Sequence, residues 1–330
     1  MPLNKHYFYL GDSKKGLHAL PRESVNCVVT SPPYWNLRDY GEEGQLGLES
    51  SPEEYVQNLV DVFREVRRVL KKDGTLWLNL GDTYNGTKIG NTETKKNPRV
   101  VSDSFIKKSA PNVKVKDLIG IPWMVAFALR NDGWYLRSDI IWHKPNTMPE
   151  SVRDRPTKAH EYIFLLSKSS KYYYDKNAVQ EPATNAGKIV SLGDKSFSKR
   201  QADGAGVSPT GNGLAKSYKV PKFRNKRTVW SINTKPFKEA HFAVFPPELI
   251  EPCVLTGSPR GGIVLDPFGG AGTTNLVAMK HGRDSIYIDL SEEYLNIALN
   301  RLGFSKDAER LFDVNQWEII DLRGGTNNES

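Results

Sequence analysis

Gly261-Gly262-Ile263-Val264-Leu265-Asp266-Pro267-Phe268-Gly269-Gly270-Ala271-Gly272-Thr273-Thr274 reads as strand, glycine-rich loop and helix start, in that order. Ile263 to Leu265 is the short apolar run that a buried strand uses. Glycines let a backbone approach a ligand closely. The spacing predicts a helix from Thr274 to His281, ended by Gly282. Asp266 at the strand tip offers a carboxylate to a cationic or hydroxylic group. The loop is not G-x-G-x-x-G, and no Gly-Lys-Ser/Thr follows, so dinucleotide and P-loop readings are weak. A second strand, Ser285-Ile286-Tyr287-Ile288-Asp289, ends in an acid about 20 residues past the glycines, the spacing of a carboxylate that holds a ribose diol at a neighbouring strand tip. The stretch therefore reads as a nucleoside site with an acid at each end.

A second turn lies far upstream. Ser24-Val25-Asn26-Cys27-Val28-Val29 is a β-branched apolar run followed by Thr30-Ser31-Pro32-Pro33-Tyr34-Trp35. Two prolines cannot continue a strand, because neither has a ladder N–H and both fix φ. The chain must leave the sheet there in a stiff turn carrying a hydroxyl, carbonyls and two aromatic rings. Ligands of open α/β sheets bind outside the carboxyl ends of strands. A rigid structural turn capped by aromatics is the other reading of that stretch alone.

Together, Ser31-Pro32-Pro33-Tyr34 and Asp266 to Thr274 resemble the amino-group DNA methyltransferases that use S-adenosylmethionine, in their β-type motif order with the catalytic turn first. The resemblance spans roughly residues 7 to 82, 118 to 170 and 228 to 303. It implies an α/β fold: a Rossmann-like mixed sheet with helices on both faces, circularly permuted motif order and an inserted DNA-recognition region. It implies Ser31, Pro32, Pro33 and Tyr34 as catalytic residues. Its cofactor set is Asp12, Asp266, Pro267, Phe268, Gly270, Gly272, Thr273, Thr274 and Asp289. Asp12, in the Gly11-Asp12 pair after the strand Tyr7 to Leu10, would approach the adenine; a plain turn aspartate is the alternative.

Composition agrees. A chain of 330 residues suits one large α/β domain with an insertion. The net charge of +8 is compatible with a polyanionic partner. Cys27 and Cys253 are the only cysteines, so neither a disulfide framework nor zinc spacing is present, which suits a reducing cytoplasm. No signal peptide, membrane-length apolar run or internal repeat is found.

The chain divides into residues 1–82, the first part of the catalytic half, then a basic loop at 83–117, then the rest of that half at 118–169. A recognition region covers 170–227, the cofactor half 228–303 and a C-terminal extension 304–330. Ser51-Pro52-Glu53-Glu54 opens a helix as an N-cap, first-turn proline and capping box. Its apolar face runs from Val56 to Leu70, and Asp73-Gly74 is expected to stop it before the strand Thr75 to Leu80. Trp142, in Trp142-His143-Lys144-Pro145, would help hold an extruded base by the resemblance; a core tryptophan is the competing reading. Arg153, Arg155 and Lys158 would bind phosphate or face solvent. Between 186 and 227 stand ten Lys and Arg against Asp194 and Asp203. Lys195, Lys199, Arg200, Lys216, Lys219, Lys222 and Arg224 are its DNA-binding candidates. Pro252-Cys253 is rejected as a cytosine-C5 nucleophile, since it sits in an apolar helix and Val254 follows. Lone His241 is left out of the chemistry.

The expected substrate is double-stranded DNA, and a cognate restriction endonuclease is its expected functional counterpart. The exocyclic amine of cytosine or adenine is a poor nucleophile, because its lone pair is delocalised into the ring. Acceptors on its N–H groups, Ser31 Oγ and the Pro32 carbonyl, would draw it toward tetrahedral geometry. In the resembled family, cytosine-N4 members often carry serine at this position and adenine-N6 members Asp or Asn, with serine among some of them, so the resemblance leans Ser31 toward cytosine N4 over adenine N6. A protein-glutamine methyltransferase or a non-catalytic nucleic-acid-binding module fits less well, because the first leaves the basic insert unused and the second the glycine loop. No metal is called for.

Overall fold

The computed structural model describes residues 4–86, 109–191, 217–235, 244–304 and 316–323. It divides into two compact units: Met1–Asp175 with Thr228–Ser330, and Lys176–Arg227.

The larger unit is built on one sheet. Its strands are β1 (Lys5–Leu10), β2 (Val25–Thr30), β3 (Leu70–Leu80), β4 (Tyr135–His143) and β5 (His160–Ser167). The smaller unit carries four short strands: β6 (Glu181–Pro182), β7 (Ile189–Ser191), β8 (Ser217–Lys219) and β9 (Phe223–Arg224). The large sheet is completed by β10 (Val229–Ser231), β11 (Ile263–Asp266), β12 (Asp284–Asp289) and β13 (Gln316–Asp321). The order across it is β10-β4-β5-β3-β2-β11-β12-β1-β13. Within this sheet, among the described residues, only β5 runs against its neighbours β3 and β4; the other pairings in it are parallel.

Six helices cover the sheet among the described residues: α1 (Ser13–Ala19), α2 (Pro52–Val69), α3 (Ile121–Asn131), α4 (Pro247–Gly257), α5 (Thr273–Lys280) and α6 (Glu292–Leu302). Strand alternation divides them. Val28, Leu76 and Leu78 pack with Leu17, Leu59 and Val125 of α1–α3. Their neighbours Cys27, Val29 and Trp77 pack with Leu249, Cys253 and Val277 of α4 and α5. Phe8 and Tyr287 lie under Leu295 and Leu299 of α6. A strand's side chains alternate between faces, so each strand feeds both cores.

β2 and β11 are adjacent at the centre, and the strand order departs from them in opposite directions. That is the topological switch point of an open α/β sheet, where a crevice forms at the carboxyl ends. Both turns singled out in the sequence leave the sheet there.

Two local expectations change, and one element is new. α2 ends at Val69, and the next eleven residues form β3, so Asp73-Gly74 lies inside a strand and does not stop a helix. Ser51 Oγ accepts Glu54 N at 3.2 Å, but Glu54 reaches back to Ser50 N at 2.9 Å, one residue before the cap. The C-terminal extension, to which the sequence assigned no element, contributes β13 at Gln316–Asp321, parallel to β1. That pairing spans about the whole chain, and no local pattern signals it.

Candidate active site

A cavity of about 340 Å³ opens at the switch point. One end is made by the glycine loop. Gly269 leaves no room for a side chain, since a Cβ there would stand 2.2 Å from Tyr287 Cδ2. Tyr287 is fully buried and its hydroxyl donates to the Gly270 carbonyl at 2.8 Å. Gly272 caps α5 with φ of 69°, a left-handed value that favours glycine. Ser13 Oγ donates to the Pro267 carbonyl at 2.8 Å, tying the loop to α1.

The two acids behave differently from each other. Asp289 lines the cavity and accepts Gly270 N at 2.7 Å and Ser291 N at 2.9 Å. Asp266 is 1% exposed and lies beneath the cavity. It accepts the Thr30 hydroxyl at 2.6 Å, the Thr274 hydroxyl at 2.7 Å and Phe268 N at 3.1 Å. The hydroxylic groups it meets therefore belong to the protein, which corrects the expectation that it faces a ligand. It staples the tip of β2 to the start of α5. Burial pushes both carboxyls up to about 6, against the hydrogen bonds that favour their charged forms. Of the other cofactor candidates, Asp12, Pro267, Phe268, Gly270 and Thr273 line the cavity; Gly272 and Thr274 do not. Asp12 also caps α1, its Oδ1 accepting Lys14 N at 3.0 Å and Lys15 N at 3.1 Å.

The other end is made by side chains. Ser31, Pro32, Pro33 and Tyr34 all line the cavity. The Tyr55 hydroxyl donates to the Pro33 carbonyl at 2.8 Å and fixes the turn from below. Among the described residues no donor reaches the Pro32 carbonyl. The Tyr34 ring rests on Gly81, where a Cβ would come within 2.6 Å of Cε2. Its hydroxyl donates to Glu161 Oε2 at 2.9 Å, and Ser31 Oγ donates to it at 3.3 Å. Asn79 Nδ2 donates to the same carboxylate oxygen at 3.2 Å, and Lys144 pairs with the other. Burial, and then the charge of Glu161, push the Tyr34 phenol well above its ordinary range.

Comparison with known proteins decides what this crevice belongs to. The family model for DNA methylase of the N6/N4 type matches residues 25–300. The chain belongs to that family. It is 48% identical over 304 residues to the type II methyltransferase M.Cfr9I of Citrobacter freundii, covering 92% of this chain and 89% of that one. Among solved structures, the cytosine-N4-specific PvuII DNA methyltransferase superposes with a TM-score of 0.62 at 20% identity, over 93% of this chain and 88% of that one. A putative DNA modification methylase from Thermus thermophilus, complexed with S-adenosyl-L-methionine, gives a TM-score of 0.55 at 24% identity, over 96% of this chain and 100% of that one. These likenesses carry the methyltransferase fold.

Other sequence candidates of the methylase fare less well. Trp142 is 3% exposed, its indole N–H donates to the Ile232 carbonyl at 2.8 Å, and the Lys144 ammonium lies 4.1 Å from its ring centroid. The ring is packed as a core tryptophan, yet it also lines the cavity that Ser31 and Tyr34 line, so both readings of it meet at one position. Arg155 lies over the Tyr84 ring and pairs with Glu150, and Lys158 donates to the Asp82 carbonyl. Both are occupied by the protein itself. In the smaller unit, Arg224 faces Glu181 at 3.5 Å alongside Lys226 and Arg227, so three cations share one carboxylate. Lys219 and Lys222 are exposed. Lys195, Lys199, Arg200 and Lys216, with His241 and most of the 83–117 loop, lie outside the described residues.

Sequence reading missed Asn79, Lys144 and Glu161. Each is polar and sits within or beside the apolar run of its strand, 76–80, 140–142 or 162–166, at the end that faces the cavity. A lone polar residue in such a run was the available signal. Among the described residues no cluster of His, Cys, Asp and Glu could hold a metal, and no helix is long and apolar enough to cross a membrane.

Proposed function

We propose that this methylase acts as a type II enzyme on N4 of cytosine in double-stranded DNA, with S-adenosylmethionine as methyl donor. The observation that carries the reading is the convergence of the Ser31 turn and the glycine loop in one cavity at the switch point. Cytosine N4 is favoured because position 31 supplies a neutral hydroxyl, and because the PvuII enzyme that shares this fold is cytosine-N4-specific.

The donor fits the cavity's chemistry. A Cβ on Gly270 would meet only its own loop, so the backbone there is open to close approach. Asp289 would hold a ribose diol, and Asp12, Pro267 and Phe268 would line the remainder. S-adenosylmethionine supplies a methyl group on a sulfonium, already activated for transfer. The protein's task is positioning, which supplies much of such catalysis. Ser31 Oγ and the Pro32 carbonyl accept from the amine and draw it out of the ring plane. Tyr34 offers its ring as a stacking surface, worth roughly 1–3 kcal/mol per base. The base must leave the duplex to reach the turn, so that surface offsets a few kcal/mol of unstacking. Unit Lys176–Arg227 is the proposed site of target recognition, and a cognate endonuclease of the same specificity is the proposed counterpart.

Nucleoside mass spectrometry of methylated plasmid DNA tests the target. N4-methylcytosine is expected, and N6-methyladenine in its place would overturn the cytosine reading. Ser31→Ala tests the turn. Losing one transition-state hydrogen bond of about 1.5–3 kcal/mol slows single-turnover methylation roughly tenfold to a hundredfold. An unchanged rate would make the turn scaffolding.

A further inference from the structure

We propose that Glu161 is a positioning residue: it sets the direction of a hydroxyl chain so that Ser31 meets the target amine as an acceptor. The inference rests on the reading of Ser31 given above and extends it to a residue in another strand.

A serine hydroxyl has one hydrogen to donate and lone pairs to accept with. A target amine presents N–H groups. If the Ser31 hydrogen pointed at that amine, two hydrogens would meet and the interaction would fail. Ser31 can accept only when its own hydrogen is committed elsewhere. Tyr34 Oη, 3.3 Å away, is that partner. Tyr34 must then keep a lone pair for Ser31 and spend its own hydrogen on another acceptor.

Glu161 supplies the acceptor. Its Oε2 is 2.9 Å from Tyr34 Oη, and an ionised carboxylate has no hydrogen to give back. The direction is therefore one-way: Ser31 to Tyr34 to Glu161. Asn79 Oδ1 stands 3.4 Å from the Tyr34 hydroxyl against 2.9 Å for Glu161 Oε2, so the carboxylate takes the hydrogen. Asn79 cannot easily turn its amide around, because Nδ2 is held by the Tyr162 carbonyl at 3.0 Å and by Glu161 at 3.2 Å. Lys144 on Oε1 offsets the cost of placing a carboxylate in a partly buried site. The raised phenol of Tyr34 keeps its hydrogen and so remains a donor. Three strands thus converge on one carboxylate, with Asn79 from β3, Glu161 from β5 and Lys144 just past β4.

A purely structural ion pair would stabilise the fold and leave the chemistry alone. Single-turnover methylation with DNA and S-adenosylmethionine saturating separates the two roles, with calorimetric cofactor affinity measured in parallel. Tyr34→Phe keeps the ring and breaks the chain. Glu161→Gln brings an amide N–H that can donate to Tyr34 and reverse the chain. Each is expected to slow turnover about tenfold, the loss of one hydrogen bond, with cofactor affinity within about twofold of wild type. The double variant is expected to be no slower than the slower single one, since both cut the same chain. Wild-type rates in either single variant, or effects that multiply, would overturn the proposal. Should Glu161→Gln fail to fold, Tyr34→Phe decides alone. Ser31→Ala separates the levels: a normal rate there sinks the reading of the turn. A slow Ser31→Ala beside a normal Tyr34→Phe sinks only the role of Glu161.

Discussion

The two ends of the cavity are built from different materials. The glycine-loop end is made mostly of backbone: carbonyls of Pro267 and Gly270 are held from outside, and amides of Phe268, Gly270 and Ser291 hold the two aspartates. The catalytic end is made of side chains: Tyr34, Asn79, Lys144 and Glu161 position one another. A backbone-built site is sensitive to any added Cβ. A side-chain site tolerates steric change where a ring can shift, but not a change of donor or acceptor.

The sharpest way to break that contrast is Gly269→Ala. Its Cβ would collide with the ring of Tyr287, which is fully buried and held by Gly270. Overpacking of this kind is expected to cost about 3 kcal/mol of stability and to weaken cofactor binding with it. Denaturant unfolding within about 0.5 kcal/mol of wild type would show the loop to be pliable.

Gly81→Ala probes the other end by the same kind of insertion. The new Cβ pushes the Tyr34 ring toward the cavity, which is open on that side. Stability is expected to change less than in Gly269→Ala. Single-turnover rate should fall about tenfold, because a small misplacement of positioned groups costs rate. Calorimetry should show unchanged cofactor affinity; a lost cofactor site would mean that the two ends are one rigid unit.

pH gives the smallest effect and a sign test. Asp289 has a folded value of about 6 against 3.8 as an ordinary aspartate. Between those values the folded state binds more protons than the unfolded one, so this group's contribution to stability rises as pH falls. A diol donates hydrogen bonds and prefers the ionised carboxylate, so cofactor affinity moves the opposite way. It should fall by up to about tenfold per pH unit below 6. Asp289→Asn should flatten the affinity trend and only lessen the stability trend, because Asp266, also raised to about 6, keeps its share. Affinity constant from pH 8 to pH 5 in the wild type would remove Asp289 from the cofactor site.

The sequence by itself determined the elements and the two turns. Apolar runs and punctuating Gly and Pro located β2, β11, β12 and the start of α5, because these signals act within a few residues. Ser31, Tyr34, Gly270 and Asp289 were legible for the same reason. Only the tertiary structure decided what those turns face. Asp266 and Asp289 look alike in sequence, each ending a strand, yet Thr30 and Thr274 close over the first and leave the second open. Trp142 and Lys144 are two residues apart, and the fold buries the indole while bringing the ammonium to Glu161. β13 and the Tyr34–Glu161 pair join residues far apart in the chain. Such partners are chosen by how strands stack across a sheet, and no local pattern carries that choice.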